Sequence, residues 1–73
     1  MHRFRAVAHR EGFFYITGQD YHHLTKVLRL QTGEKVYGFD NSGLQWLGVI
    51  EKLEKDGALC RVVLEEYPEV EAQ

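Results

Sequence analysis

The 73-residue sequence has one cysteine, Cys60, so it can form no intramolecular disulfide and no paired-cysteine zinc knuckle. Its one proline, Pro68, falls near the C-terminal end. No apolar run is long enough to cross a bilayer as a helix. The first twelve residues carry charges where a secretory signal would carry an apolar stretch. Gly33, Gly38, Gly43, Gly48 and Gly57 are dispersed, and none opens a helix in a phosphate-cradling or dinucleotide-binding pattern. Internal repeats and low-complexity tracts are also missing. These absences lead to the expectation of a soluble, cytoplasmic chain that has no catalytic, cofactor-binding or metal site of its own and does not act at a membrane.

The length fits one small domain. The hydrophobic content, 44%, is that of a folded chain rather than a disordered one. Net charge is −2, which alone argues against nucleic-acid binding, but the charge is unevenly spread. Residues 1–38 carry Arg3, Arg5, Arg10, Lys26, Arg29 and Lys35 against Glu11, Asp20 and Glu34, a balance of +3. Residues 39–73 carry Lys52, Lys55 and Arg61 against eight acids, a balance of −5. A basic half can meet phosphate while an acidic half keeps the protein soluble; a merely uneven surface is the plainer alternative.

Residue alternation predicts a strand over Met1–Val7, with His2, Phe4 and Ala6 on one face and Arg3 and Arg5 on the other. A turn at residues 9–12 leads to an aromatic-rich strand, Phe13–Ile16. Thr17 is placed to cap a helix, with Asp20 completing an imperfect capping box. That helix is expected from Gly18 to Leu28. Tyr21, Leu24, Val27 and Leu28 form its apolar face, and His22, Lys26 and Arg29 line up on the other. A turn at 31–34 precedes a strand over Lys35–Asp40, and Asn41-Ser42-Gly43 closes a hairpin through residues that tolerate positive φ. A long strand over 44–54 contains Gly48, whose position suggests a bulge. Asp56-Gly57 is the clearest hairpin turn, and Ala58–Glu65 returns with Ala58, Cys60, Val62 and Leu64 on one face. The tail is acidic and poor in core formers. Altogether these elements make a mainly β fold, a small antiparallel barrel of about five strands with one short α-helix, closed to protect its edges.

Few side chains offer chemistry. His22 and His23 are adjacent, so on a helix they splay about 100° apart and do not converge on an ion. His2 and His9 have no spacing relation to them. Cys60 sits in a strand pattern and reads as a buried structural thiol. What remains is basic: Arg3 and Arg5 on a strand face, and His22, Lys26 and Arg29 on a helix face. Guanidinium groups hold phosphates in bidentate fashion, and histidine can stack on a base. A solvated charged face is the competing reading.

The run His23-Leu24-Thr25-Lys26-Val27-Leu28-Arg29-Leu30-Gln31-Thr32-Gly33-Glu34 resembles the H-L-x-x-V-L-R-x-x-x-G-[DE] signature of the RsmE family, bacterial enzymes that methylate N3 of a uridine in small-subunit (16S) ribosomal RNA. The start, Met1-His2-Arg3-Phe4, the step Phe39-Asp40-Asn41-Ser42-Gly43 and the strand from Trp46 to Ile50 also resemble the family, in order and at its spacings. The resemblance implies a PUA-like RNA-binding barrel over residues 1–66. Residues 67–73 would then be an acidic linker toward a C-terminal SPOUT domain, which in the family binds S-adenosylmethionine and methylates the RNA. Arg3, His23 and Arg29 match family positions, and Leu24, Val27 and Leu28 match the helix's packing face. Arg5 departs from the pattern, where an aromatic or apolar residue is usual, and is either an extra RNA contact or an accident of the surface. Arg29 could instead hydrogen-bond carbonyls at the helix end. The implied function is substrate recognition, through Arg3, Arg5, His22, His23, Lys26 and Arg29, for a methyltransferase of ribosome biogenesis. A barrel that mainly packs on its own catalytic domain is the rival from another class.

Overall fold

The computed structural model describes residues 2–8 and 10–66, with Ala8 as backbone only. Met1, His9 and the expected linker from 67 to 73, Pro68 included, lie outside the described residues. The chain folds as one six-stranded sheet plus a short helical segment. The strands are β1 (Arg3–Arg5), β2 (Val7–Ala8), β3 (Phe13–Thr17), β4 (Lys35–Phe39), β5 (Gln45–Leu53) and β6 (Gly57–Glu66). Their order across the sheet is β1-β4-β5-β6-β3-β2.

The expected first strand is divided. Its first half pairs with β4 and its second half with β3, at opposite edges of the sheet. Only Ala6 separates the halves, and its amide donates to the Phe39 carbonyl at 2.8 Å. One short segment thus forms both edges of the sheet and brings them together at Ala6. The closure makes the β1–β4 pair parallel, the one departure from the antiparallel pairing seen elsewhere in the sheet. Nothing in local alternation encodes this, because the partner of β1 lies more than thirty residues away.

The core forms inside the closed sheet, around Phe14, Ile16, Val36, Ile50 and Cys60, with Leu24 of the helical segment sealing one end. Phe14 stacks on Trp46, with centroids 5.4 Å apart and planes 16° from parallel. Two glycines make room for that ring. A Cβ on Gly48 would lie 2.6 Å from Phe14 Cε2, and one on Gly38 would lie 2.7 Å from Cε1. Burial pushes the Cys60 thiol up to about 12, which fits the inert structural role expected for it.

Gly48 adjoins a register shift between Leu47 and Gly48, as its position suggested. The bulge changes the face of the strand opposite. Val62 pairs with Gly48, Leu64 with Leu47 and Glu65 with Trp46, so Val63 is the extra residue. Beyond it the alternation inverts. Leu64, expected inside, is half exposed, and Glu65 instead accepts from Trp46 Nε1 at 3.1 Å.

Both hairpins form, but by other means than expected. In the first, Asp40 accepts from the Ser42 amide at 2.9 Å and from its hydroxyl at 2.6 Å, and only Gly43 takes a positive φ. In the second, the Glu54 amide donates to the Gly57 carbonyl across Lys55-Asp56, so Gly57 begins β6 instead of serving as a turn residue. Gly57 is needed for closeness, since a Cβ there would sit 2.8 Å from the Ile16 carbonyl oxygen.

The helix differs most from expectation. A single α-turn, α1 (Gly18–His22), passes directly into a π-helical turn, His23–Val27. The Leu28 amide donates five residues back to His23, and the Leu30 amide six residues back to Leu24, each at 3.0 Å. The wider winding leaves Leu24 fully buried and Leu28 half-buried but turns Val27 outward, 60% exposed. Val27 therefore does not belong to the packing face. Thr17 occupies the N-cap position but makes no side-chain capping bond. The capping box is not formed either; Asp20 Oδ2 accepts from the Arg5 amide at 2.7 Å, tying the helix to β1. Tyr21 and Tyr15 donate their hydroxyls to the Glu54 carbonyl and carboxylate, anchoring helix and β3 to the end of β5.

Candidate nucleic-acid interface

The six basic residues singled out from the sequence, Arg3, Arg5, His22, His23, Lys26 and Arg29, all have exposed side chains. Their arrangement follows from the elements that carry them. Alternation on β1 buries Phe4 and turns Arg3 and Arg5 outward. The parallel register sets Arg3 opposite Tyr37 and Arg5 opposite Phe39. Both guanidinium groups lie over the Phe39 ring, 5.1 Å (Arg3) and 5.5 Å (Arg5) from its centroid. Arg5 Nη1 also donates to Asn41 Oδ1 at 3.1 Å, which reaches across from the β4–β5 hairpin.

The Asp20–Arg5 bond holds the first helical turn beside β1. This brings His23 to Arg3: the two border one cleft together with His2, Gln19, Asp20 and Leu28. Arg5 borders a second cleft with Gln19 and Asp20, on the other side of that bond. Arg3, Arg5 and His23 therefore form one surface where β1 meets the helix. His22 and Lys26 are exposed on the same helical segment.

Arg29 does not continue that line, as the α-helical spacing had suggested. The helical segment has ended by Leu28, and Arg29 takes φ 56°, the only positive value at a described non-glycine residue. It forms the reversal from which the Leu30 amide returns to the Leu24 carbonyl. A side chain in this left-handed region costs roughly 1–2 kcal/mol that glycine avoids. The Arg29 side chain makes no hydrogen bond or ion pair among the described residues, so it does not cap helix carbonyls.

Ion pairing on this surface is sparse. Among the described residues the one ion pair joins Arg61 to Glu51, at 3.2 Å, away from β1 and the helix. The acids near the basic surface are engaged locally, Asp20 by the Arg5 amide and Asp40 by Ser42, whose hydrogen bonds hold the Asp40 carboxyl below its ordinary range. The described residues hold no His, Cys, Asp and Glu cluster able to take a metal ion, and no helix long and apolar enough to cross a membrane.

Phe39, Asn41, Gln19 and Asp20 belong to this surface and were not singled out from the sequence. Alternation along Lys35–Phe39 places Tyr37 and Phe39 outside. Which strand would lie beside them depends on the parallel pairing.

The family description of the RNA methyltransferase PUA domain matches residues 16–63, well over half of the chain. The chain belongs to that family. This PUA domain is also similar to several solved structures. A predicted RNA methyltransferase from Thermotoga maritima is 26% identical with a TM-score of 0.82, over 99% of this chain and 33% of its own. A probable rRNA-methyltransferase from Porphyromonas gingivalis is 23% identical with a TM-score of 0.78, over 94% of this chain and 29% of its own. A putative methyltransferase from Legionella pneumophila, solved with bound S-adenosylmethionine, is 18% identical with a TM-score of 0.73, over 89% and 28%. The PUA domain described here thus spans about a third of the length of these proteins. No curated protein matches it.

Proposed function

We propose that this PUA domain docks ribosomal RNA for methylation by an S-adenosylmethionine-dependent methyltransferase of the RsmE type, acting on N3 of a uridine in small-subunit RNA in the cytoplasm. Arg3, Arg5, His22, His23, Lys26 and Arg29 carry the docking. In this reading residues 1–66 are the recognition domain, and residues 67–73 lead toward a SPOUT catalytic domain. The observation that carries it is the gathering of Arg3, Arg5 and His23 where β1 meets the helix, with no carboxylate in ion-pair distance among the described residues. Bidentate guanidinium groups left without acidic partners suit phosphate. The acids on β5 and β6, Glu51, Glu65 and Glu66, help keep the net charge low, and none of them pairs with these arginines.

S-adenosylmethionine is assigned in this reading to the rest of the parent protein, since the sequence offers no glycine-rich cofactor loop. The competing reading, a barrel whose main task is to pack on its catalytic domain, draws on Val63 and Leu64, both half exposed at the end of β6. Titration of a ribosomal RNA fragment at several salt concentrations separates the two. Docking through phosphate gives a log–log slope of about −0.7 to −0.9 per contact, whereas a packing module shows no salt-dependent binding.

A further inference from the structure

We propose that Phe39, flanked by Arg3 and Arg5, is a stacking site for one unpaired base of single-stranded RNA. The inference rests on the RNA-docking reading and adds to it a mode of recognition, stacking on a sheet face, that charge alone does not supply.

Phe39 is half-buried, yet it belongs neither to the core nor to the side chains packed against it. Two guanidinium groups lie against it, 5.1 and 5.5 Å from the ring centroid. A guanidinium plane resting on an aromatic ring leaves its other face for a further planar group, and its in-plane N–H donors still reach outward. Arg3 commits none of its donors to another side chain among the described residues, and Arg5 commits one, to Asn41. Tyr37 lies two residues along β4 on the same outer face, and Lys35 two further. The face therefore combines aromatic rings, planar cations and free donors. The nearest acids, Asp20 and Asp40, are bound to a backbone amide and to Ser42. Bases of single strands are recognised in this way, by stacking on aromatic rings or arginine planes while neighbouring cations hold phosphate. A base within a duplex presents no free face to such a surface.

The test uses the full chain and three fluorescent probes at low salt: a single-stranded oligouridine of about ten nucleotides, an abasic strand of the same length, and a duplex. The two strands carry the same phosphates and differ only in bases. We expect the oligouridine to bind between about five- and a hundredfold more tightly than the abasic strand. Phe39→Leu, which keeps apolar bulk but removes the π face, should bring the two together without altering duplex binding. Arg3→Lys, which keeps the charge but not the plane, should weaken oligouridine several-fold. Equal affinity of the unaltered chain for oligouridine and the abasic strand overturns the stacking site even if Phe39→Leu fails to fold. If in that case Lys26→Glu still weakens every probe, the docking reading stands and stacking alone is lost. If no probe binds, both fall.

Discussion

Arg29 offers a substitution in which stability and function should move in opposite directions. Its φ of 56° costs an L-residue roughly 1–2 kcal/mol, a cost glycine does not incur. Glycine also loosens the unfolded chain, which offsets about 0.4–1 kcal/mol of that gain. The side chain is exposed and makes no hydrogen bond or ion pair among the described residues, so its removal breaks no polar contact there. Arg29→Gly should therefore leave the fold as stable as before, or more stable by up to about 1.5 kcal/mol. In a domain of this size each kcal/mol moves the melting temperature by about 4–8 °C. Arg29→Ala keeps the left-handed strain and should stay within about 0.5 kcal/mol of the parent. Both variants lose one phosphate contact, so the salt slope of RNA binding should fall by about 0.7. Urea denaturation and a salt series of RNA titrations read the two quantities separately. A loss of 1 kcal/mol or more in Arg29→Gly would show that the side chain holds the helix end, and the reasoning for its RNA role would fail. Strained residues cluster at functional sites, which is why this arginine bears weight in the account.

Further predictions follow from the packing. Leu24→Ala should cost about 2–5 kcal/mol and Val27→Ala under about 0.5 kcal/mol, because the π-turn buries the first and exposes the second; equal losses in urea would restore an ordinary α-helix. Gly48→Ala must displace the Phe14 ring from Trp46, so thermal melts should drop by several degrees; an unchanged midpoint would mean the ring is not held there. Cys60 should resist iodoacetamide at pH 8 until urea unfolds the chain. Its folded pKa, raised to about 12, lies above the unfolded value, so its contribution to stability is complete below about pH 8.5 and declines as pH rises toward 12. Labelling of the native chain at the rate of an exposed thiol would contradict the buried placement.

Much of the barrel was legible in local pattern. Alternation located β3 to β6, Gly48 marked its bulge, and Asp40 to Gly43 marked a hairpin. The misplaced features depend on partners distant in sequence. The division of the first strand follows from closure, which demands that residues 3–8 serve two edges at once. The outward turn of Leu64 follows from an extra residue, Val63, that only the pairing with β5 reveals. Val27 and Arg29 were misplaced because a period of 3.6 was assumed where the backbone winds wider and then reverses. Of the candidate surface, residue type and alternation located Arg3 and Arg5, and the family motif pointed to His23 and Arg29. The aromatic beneath the arginines could not be found that way, since Phe39 meets Arg5 through a parallel pairing between strands far apart in the chain.

The central claim is that RNA meets the face formed by β1 and the helix and not the β5–β6 hairpin. Lys26 is exposed on the helical segment, and Lys52 and Lys55 are exposed on the β5–β6 hairpin. Charge reversal at each should leave the melting temperature nearly unchanged, because exposed charges contribute little to stability. The decisive measurement compares the affinity of a ribosomal RNA fragment for Lys26→Glu with that for Lys52→Glu and Lys55→Glu, at low salt and high protein concentration. The account predicts a clear loss for Lys26→Glu and little change for the other two. A greater loss for Lys52→Glu or Lys55→Glu would place the RNA on the β5–β6 hairpin and contradict it.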